Sequence, residues 1–494
     1  LKKRKHQMEL FIKYPVDVQE ELLFRLIQFS KNTEFGEHYN FSSINTYKDF
    51  ASKVPIQQYE SIEPLIERCR KGEQNLFWPT KIKWFAKSSG TTNAKSKFIP
   101  VSDDAIENCH LKAGKDMLCL YINNNEETAL FNGKALRLGG SNAVYEDNNS
   151  YFGDLSAIII ENMPFWADFS SAPSQEVALM SEWETKMEAI ISETINEDIT
   201  SLVGVPSWML VLLNKVLEKT GKDHILEVWP NFEFLVHGAV AFGPYRELFQ
   251  NLVFPSSEVR FLEIYNASEG FFAIQDDLSL PDEMLLMLDY GIFYEFIPIG
   301  AHGEEVDQIV SLDQVMLGVN YAMLITTNSG LWRYKIGDTV KFTSILPYRI
   351  KISGRTKHFI NAFGEELIIE NAEKAISVAC IQTNSEIKDY TAAPAYMEGG
   401  KKGSHEWVVE FSKAPKDLRI FVEILDRTLR EVNSDYDAKR SYDLVLELPQ
   451  VLVAPKGTFY AWMRARGKLG GQHKVPRLSN NREFIDGVKA HFQN

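Results

Sequence analysis

The segment Ser88-Ser89-Gly90-Thr91-Thr92-Asn93-Ala94-Lys95-Ser96-Lys97 groups the hydroxyls of Ser88, Ser89, Thr91 and Thr92 around one glycine and ends with two lysines. Backbone N–H groups, hydroxyls and ammonium groups in a turn that glycine allows to bend are the donors that a triphosphate requires. The pattern is not the GxxxxGK[ST] phosphate loop, which the sequence lacks. A solvated, hydroxyl-rich turn has the same composition, so this segment alone leaves both readings open.

Three further segments carry chemistry-bearing residues. Glu263-Ile264-Tyr265-Asn266-Ala267-Ser268-Glu269-Gly270 closes an apolar run. A carboxylate beside a serine at the carboxyl end of a buried strand sits where open α/β sheets bind ligands. Glu269 offers hard oxygen for Mg²⁺ and Tyr265 offers a ring for a base, or the pair simply ends a turn. Trp332-Arg333-Tyr334-Lys335-Ile336-Gly337-Asp338 places an acid after a glycine, where Asp338 can accept from a ribose diol, and Gly354-Arg355-Thr356-Lys357 follows; taken alone, each also reads as an ordinary turn. Late in the chain, Gly470-Gly471-Gln472-His473-Lys474-Val475-Pro476-Arg477 carries Lys474 in a glycine-rich stretch that either lets it reach a distant charge or is simply a solvated loop. His473 and His237 have no metal-ligand companions at workable spacing, and HExxH, GxSxG and GxGxxG are all absent.

These segments need elements to hold them. Residues 1–80 read as mostly helical, with VQEELLFRLIQFSKNTEFG ending at Gly36 and FSSINTYKDFASKVP ending at Pro55. Ala105, Cys109, Ala113, Met117 and Tyr121 form an i+4 stripe on a helix after Ser102. Short apolar runs then alternate with helical patterns: SAIIIE as a strand, SQEVALMSEWETKMEAIISETI as a helix, TSLVGVP, a helix from Ser207 to Gly221, FEFLVHGA and VRFLEIYNASEG. That alternation predicts an α/β domain with a parallel inner sheet. From Leu285 to Phe342 the pattern is strand-rich, and after Pro347 it becomes that of a compact α+β unit. YRIKISGR and KHFINAF read as strands there, and DLRIFVEILDRTLREV as a helix with Leu418, Phe421, Leu425 and Leu429 on one face. The expected division is a large domain over 1–347 and a smaller one over 348–494, the boundary falling between Pro347 and Arg355.

Composition limits the partners. In 494 residues, 45% are hydrophobic and 24% charged, which excludes a disordered or fibrous chain. A formal net charge of −14 argues against nucleic acid or an anionic membrane as the main partner. Cys69, Cys109, Cys119 and Cys380 are too scattered for a disulfide scaffold and fit a reducing compartment. The start LKKRKHQMEL is basic but leads into no apolar region or small-residue cleavage site, so it does not read as a signal peptide. No apolar run approaches the roughly 20 residues of a membrane helix. A soluble, cytoplasmic monomer is expected.

Taken in order, SSGTT, YNASEG, YKIGD, GRTKHFINAFGEELIIE and the late glycine-bracketed lysine resemble the adenylate-forming superfamily of acyl-CoA synthetases, peptide-synthetase adenylation domains and luciferases. The likeness runs from Ser88 to Arg477. HGAVAFGPYRELF resembles that superfamily's adenine-side segment, and SSGTT…KFIP with the GQHKVPR ending resembles the auxin-responsive Gretchen-Hagen family of acyl acid amido synthetases. The resemblance implies ATP-dependent activation of a carboxylic acid as an acyl-adenylate, followed by transfer to an amine, usually an amino acid.

On that resemblance Ser88, Ser89, Gly90, Thr91 and Thr92 would line the β- and γ-phosphates. His237, Gly238, Ala239 and Val240 would flank the adenine, with Tyr265 stacked on it. Ser268 would approach the α-phosphate, Glu269 would bind Mg²⁺, and Asp338 would take the ribose hydroxyls beside Arg355. Lys357 falls at the hinge of a mobile small domain, and Lys474 would bridge the substrate carboxylate and the α-phosphate. Two departures stand out: TTNAKSK replaces TTGxPK, and Asn266 occupies a position where a small residue is commoner. CoA as acceptor, or a nucleotide-binding relative without turnover, are the competing readings.

Overall fold

The computed structural model describes residues 2–88, 97–125, 127–139, 145–147, 150–164, 167, 169–180, 182–240, 242–253, 258–300, 305–355, 359–397, 402–441, 445–466 and 475–492. Its first strands are β1 (Trp84–Ser88), β2 (Lys97–Val101), β3 (Lys134–Arg137), β4 (Tyr145–Asp147), β5 (Ser150–Gly153), β6 (Ser171–Ala172), β7 (Ile199–Gly204), β8 (Phe234–His237) and β9 (Arg260–Ala267). They are followed by β10 (Gly270–Ile274), β11 (Met284–Leu286), β12 (Ile292–Ile299), β13 (Asn320–Thr327), β14 (Tyr334–Ile345) and β15 (Tyr348–Arg355). Among the described residues, β2-β1-β5-β4 make a four-stranded sheet. The large sheet has 11 strands in the order β12-β13-β14-β15-β11-β10-β9-β8-β7-β3-β6.

That sheet has two grammars. From β6 to β9 every neighbour pair is parallel, and β8 is buried along its whole length. A strand covered on both sides must be a continuous apolar run, and FLVH is one. The helices Pro206–Thr220 and Gly243–Val253 supply Leu212, Leu213, Tyr245 and Phe249 to the cluster that covers it. From β9 to β12 every pair is antiparallel, as the strand-rich stretch after Leu285 predicts. β9 is therefore a seam, parallel to one neighbour and antiparallel to the other.

Beyond the large sheet, β16 (Phe359–Ile360) pairs with β17 (Leu367–Ile368), and β18 (Glu386–Ala395), β19 (Ser404–Lys413) and β20 (Gln450–Val453) form a three-stranded sheet. The helices Ile369–Thr383 and Leu418–Val432 belong with them, the second burying Phe421, Leu425 and Leu429 while Leu418 stays at the edge. This is the α+β unit the sequence predicts. Its core is continuous with that of the parallel half, since Phe363, Leu367 and Ala375 share a cluster with Leu202, Trp208 and Tyr245. Two bonds join the halves directly: Tyr245 Oη donates to the Ala362 carbonyl at 2.6 Å and Ser207 Oγ to the Phe363 carbonyl at 3.0 Å. The boundary window Pro347–Arg355 is mostly β15, which returns along β14 in the large sheet, so the chain leaves that sheet after Arg355.

Several local expectations change. SAIIIE is not a strand but most of the helix Leu155–Glu161, which buries Leu155, Ala157, Ile158 and Ile160. A short apolar run satisfies a buried strand and a buried helix equally, and here packing decides. The helix expected from Ser174 to Ile195 is two, Gln175–Ala178 and Trp183–Thr194, because Glu182 accepts from the backbone N–H groups of Glu184 and Thr185 and starts a new helix. The helix expected to run to Gly36 stops at Ser30, and a separate turn, Glu34–His38, is capped by Thr33. The strand expected over KHFINAF is described only at Phe359–Ile360.

Candidate active site

Where the sheet changes from parallel to antiparallel, the chain leaves β8 and β9 in different directions and a crevice opens beyond their carboxyl ends. A cleft of about 810 Å³ occupies this place. Its N-terminal wall holds Ser88 and Lys97, Ala239 and Val240 after β8, and Tyr265, Ser268 and Glu269 at the end of β9. Asp338 lines it from β14, and Asn361, Glu366 and Asn480 close it from the C-terminal side.

Local structure explains each placement. Ser88 and Lys97 are cross-strand partners in the β1–β2 hairpin, and both line the cleft. Gly238 follows β8 where a Cβ would meet the Ile264 carbonyl oxygen at 2.7 Å and Ile264 Cγ1 at 2.9 Å. Only glycine lets this segment lie so close to β9. Ala239 has φ 70°, a left-handed conformation that costs an alanine free energy and that Asn361 Nδ2 secures by donating to the Ala239 carbonyl at 3.2 Å. Gly337, at φ 93°, lies in a register shift of β14 just before Asp338. The buried Tyr265 then donates from Oη to Asp338 Oδ2 at 2.7 Å, while its ring lies 4.8 Å from that of Phe272.

His237 turns the other way. Its imidazole is buried and stacked on Phe242 at 3.7 Å between centroids, and burial, helped by Arg246, pulls its pKa down to about 3. A neutral ring packed in this way belongs to the core, and His237 is not among the residues lining the cleft.

The electrostatics of the cleft favour a cationic guest. Burial pushes the Glu269 carboxyl up to about 7; Lys97 opposes this, while Asp338 and Glu366 add to it. Burial, together with Asp282, also pushes Glu263 up to about 7. A carboxylate held this far above its ordinary range gains when a cation arrives. Among the described residues no group of three or more His, Cys, Asp or Glu side chains forms a metal cage. Mg²⁺ bound with a nucleotide needs only one or two carboxylates, with phosphate and water completing its shell, so Glu269 fits that role.

Comparisons with known proteins decide the family. The GH3 family N-terminal domain matches residues 4–259, the GH3 family central domain residues 285–355 and the GH3 family C-terminal domain residues 370–483. The chain belongs to the GH3 family. It is 23% identical over 571 residues to the indole-3-acetic acid-amido synthetase GH3.4 of Arabidopsis thaliana, covering 98% of this chain and 94% of that one. It is also 23% identical over 545 residues to the jasmonoyl–L-amino acid synthetase JAR6 of Nicotiana attenuata, covering 93% and 90%. In fold it is similar to the solved AtGH3.15 acyl acid amido synthetase in complex with 2,4-DB, with TM-score 0.61, 18% identity and coverage of 96% and 93%.

In this GH3 chain the cleft brings together Ser88, Ala239, Val240, Tyr265, Ser268, Glu269 and Asp338 from the sequence-derived set. Arg355 ends β15 directly across from Asp338 in the strand register. Ser89, Gly90, Thr91, Thr92, Lys357 and Lys474 lie outside the described residues. Sequence reasoning missed the C-terminal wall of Asn361, Glu366, Asn480 and Asn481, and it missed Glu263 on β9. Glu263 carried a signal, as a lone acid inside the apolar run VRFLEIY. The asparagines carried none, because distant segments meet there.

Proposed function

We propose that this GH3 chain is an ATP-dependent acyl acid amido synthetase, a ligase that activates a carboxylic acid as its acyl-adenylate and transfers the acyl group to an amine, usually that of an amino acid. The observation that carries the reading is the convergence of Ser88, Val240, Ser268, Glu269 and Asp338 on one cleft at the β8–β9 seam. The names of its relatives, which are amido synthetases and an amino acid synthetase, give the same chemistry.

The chain supplies the parts of that reaction in order. Ala239 and Val240 offer an apolar edge for the base, and the Tyr265–Asp338 pair presents a fixed carboxylate for the ribose diol. Ser88 with the hydroxyl loop after it, and Ser268, offer donors to phosphate oxygens. Glu269 would hold Mg²⁺, which would supply positive charge to offset that of the phosphates. Substrate carboxylate and α-phosphate are both anionic, so charge neutralisation and alignment are what the protein must provide, and no nucleophilic Ser, Cys or His is needed. Lys474 adds a positive charge, and rotation of the C-terminal unit about Lys357 would exchange it for the incoming amine. We take the protein to work as a cytoplasmic monomer. No helix of the described residues is long and apolar enough to cross a membrane.

Pyrophosphate–ATP exchange tests the reading. The protein is incubated with labelled pyrophosphate, ATP and Mg²⁺ over a panel including indole-3-acetate, jasmonate and 4-aminobenzoate. Acid-dependent exchange is expected, with release of AMP that depends on added amino acid. Absence of exchange across a broad panel, with normal ATP binding, defeats the reading; AMP release that depends on CoA instead moves the acceptor to a thiol.

A further inference from the structure

β9 sorts its side chains to two faces, because alternate residues of a strand point opposite ways. Phe261 belongs to one face: its ring lies 5.4 Å from that of Phe242 and 6.5 Å from that of Phe249, on the helix Gly243–Val253. Glu263 and Tyr265 follow it there. Leu262 and Ile264 belong to the other face, in a cluster with Cys109, Ala113 and Tyr121 from the helical stretch after Ser102. Asn266 comes next on that face. The register shift beside it places the extra residue in β10, so the alternation of β9 is unbroken.

Asn266 lines the cleft together with two apolar residues of that cluster, Ile264 and Leu155. Its partner in the strand register is Phe271, whose N–H donates to Cys109 Sγ at 3.2 Å, so the helical stretch is anchored at the same level. The carboxamide oxygen lies 3.5 Å from the point where a Cβ on Gly238 would stand, and the glycine leaves it room. Among the described residues no hydrogen-bond partner meets this carboxamide, which offers two N–H donors and an acceptor. It is half-buried. An open amide beside two aliphatic side chains is how an apolar pocket orients a guest: burial supplies affinity, and one placed polar group supplies specificity.

With Tyr265 and Asp338 taking the nucleoside, the nucleotide lies on the Phe261 face of β9. An acyl-adenylate that passes Ser268 at the strand's end then carries its acyl group to the opposite face. We infer that Asn266 is a specificity residue for the acid, hydrogen-bonded to a polar substituent on an otherwise hydrocarbon carboxylic acid; the assignment rests on the amido synthetase reading above. Two residues separate Asn266 from Ser268, the phosphate donor of that reading, and two residues of extended chain span roughly 7 Å. The substituent therefore stands several bonds from the carboxylate, on a ring or a chain end rather than at the α-carbon.

Matched acids that differ by one such group test the assignment. Pyrophosphate exchange is measured with 4-hydroxybenzoate against benzoate, indole-3-acetate against naphthalene-1-acetate, and 6-hydroxyhexanoate against hexanoate. In the pair that holds the best acid, kcat/KM for the polar member is expected to exceed that of its match roughly 3- to 10-fold, the range of one neutral hydrogen bond. Asn266→Leu, close in volume and without polar atoms, should bring that ratio to unity or below, with the ATP KM within about twofold of wild type. Asn266→Ala should lower the ratio in the same way and covers the case in which the Leu variant does not fold. A best acid that carries no polar substituent, a ratio unchanged in the variants, or a parallel loss of both members with a raised ATP KM overturns the assignment alone. A wild type that exchanges pyrophosphate with no acid, on these pairs or on a broad panel, overturns the amido synthetase reading and this assignment with it.

Discussion

Tyr265 Oη donates to Asp338 Oδ2 at 2.7 Å, joining β9 to β14 although β10, β11 and β15 lie between them in the sheet order. The sheet curls until its seam strand and its fourth antiparallel neighbour meet over the cleft. A buried carboxylate that accepts this bond keeps one orientation before any ligand arrives, which is the preorganisation that the proposed ribose contact would use.

Tyr265→Phe keeps the ring and removes the hydroxyl. A hydrogen bond to a charged group contributes about 1.5–3 kcal/mol, so the KM for ATP in pyrophosphate exchange should rise roughly tenfold with kcat little changed. Tyr265→Leu should raise it further if the ring also carries the base. An unchanged KM in Tyr265→Phe means that Asp338 needs no help.

The sequence shows the site better than it shows the walls. The runs FEFLVHGA and VRFLEIYNASEG are legible as buried strands because strands covered on both faces must be apolar throughout, and the acids and glycines that end them mark the crevice. Asp338 is legible through the glycine before it. The Tyr265–Asp338 bond is not, because it depends on sheet curl, and neither is the wall of Asn361, Glu366 and Asn480, assembled from segments more than a hundred residues apart. SAIIIE fails for a different reason: its apolar length suits two structures, and its amphipathic helix becomes evident only against β1 and β5.

Glu269 makes stability depend on pH with a definite sign. Burial first, with Asp338 and Glu366 adding and Lys97 opposing, raises its carboxyl from 4.5 to about 7. The folded protein then holds the proton more tightly than the unfolded chain does. Its contribution is full below pH 4.5 and lost as pH rises through 7. Glu269→Gln should therefore match the wild-type Tm at pH 4 and exceed it at pH 8 by roughly 2–4 °C, while pyrophosphate exchange collapses. Equal Tm differences at the two pH values refute the linkage.

Gly238→Ala tests the close approach of the segment after β8 to β9. The added Cβ would stand 2.7 Å from the Ile264 carbonyl oxygen, a backbone atom that cannot swing aside. Overpacking of this kind costs about 1–3 kcal/mol, and it spreads the strands where the cleft begins. A lower Tm together with a higher ATP KM is expected from thermal melts and exchange assays. A variant with wild-type values for both shows that the seam opens without loss.

His405 Nε2 and Glu365 Oε1 are 2.8 Å apart with both side chains fully buried. The second Glu365 oxygen accepts from the Phe363 N–H at 2.7 Å, and Asn433 Nδ2 donates to the Glu365 carbonyl at 2.9 Å. These bonds pin the turn Asn361–Glu366, and through it the cleft wall that Asn361, Ala362 and Glu366 form. His405→Ala strands a buried carboxylate, at a cost of about 3–5 kcal/mol, whereas removing both polar groups together relieves that burden. The single variant should lose roughly 5–10 °C of Tm, and the double variant His405→Phe with Glu365→Leu should recover most of it. Amide formation should fall in both, because the turn is loosened either way, while a purely stabilising pair would let the double variant regain activity along with stability. A His405→Ala protein that melts within about 1 °C of wild type shows that the pair carries neither role.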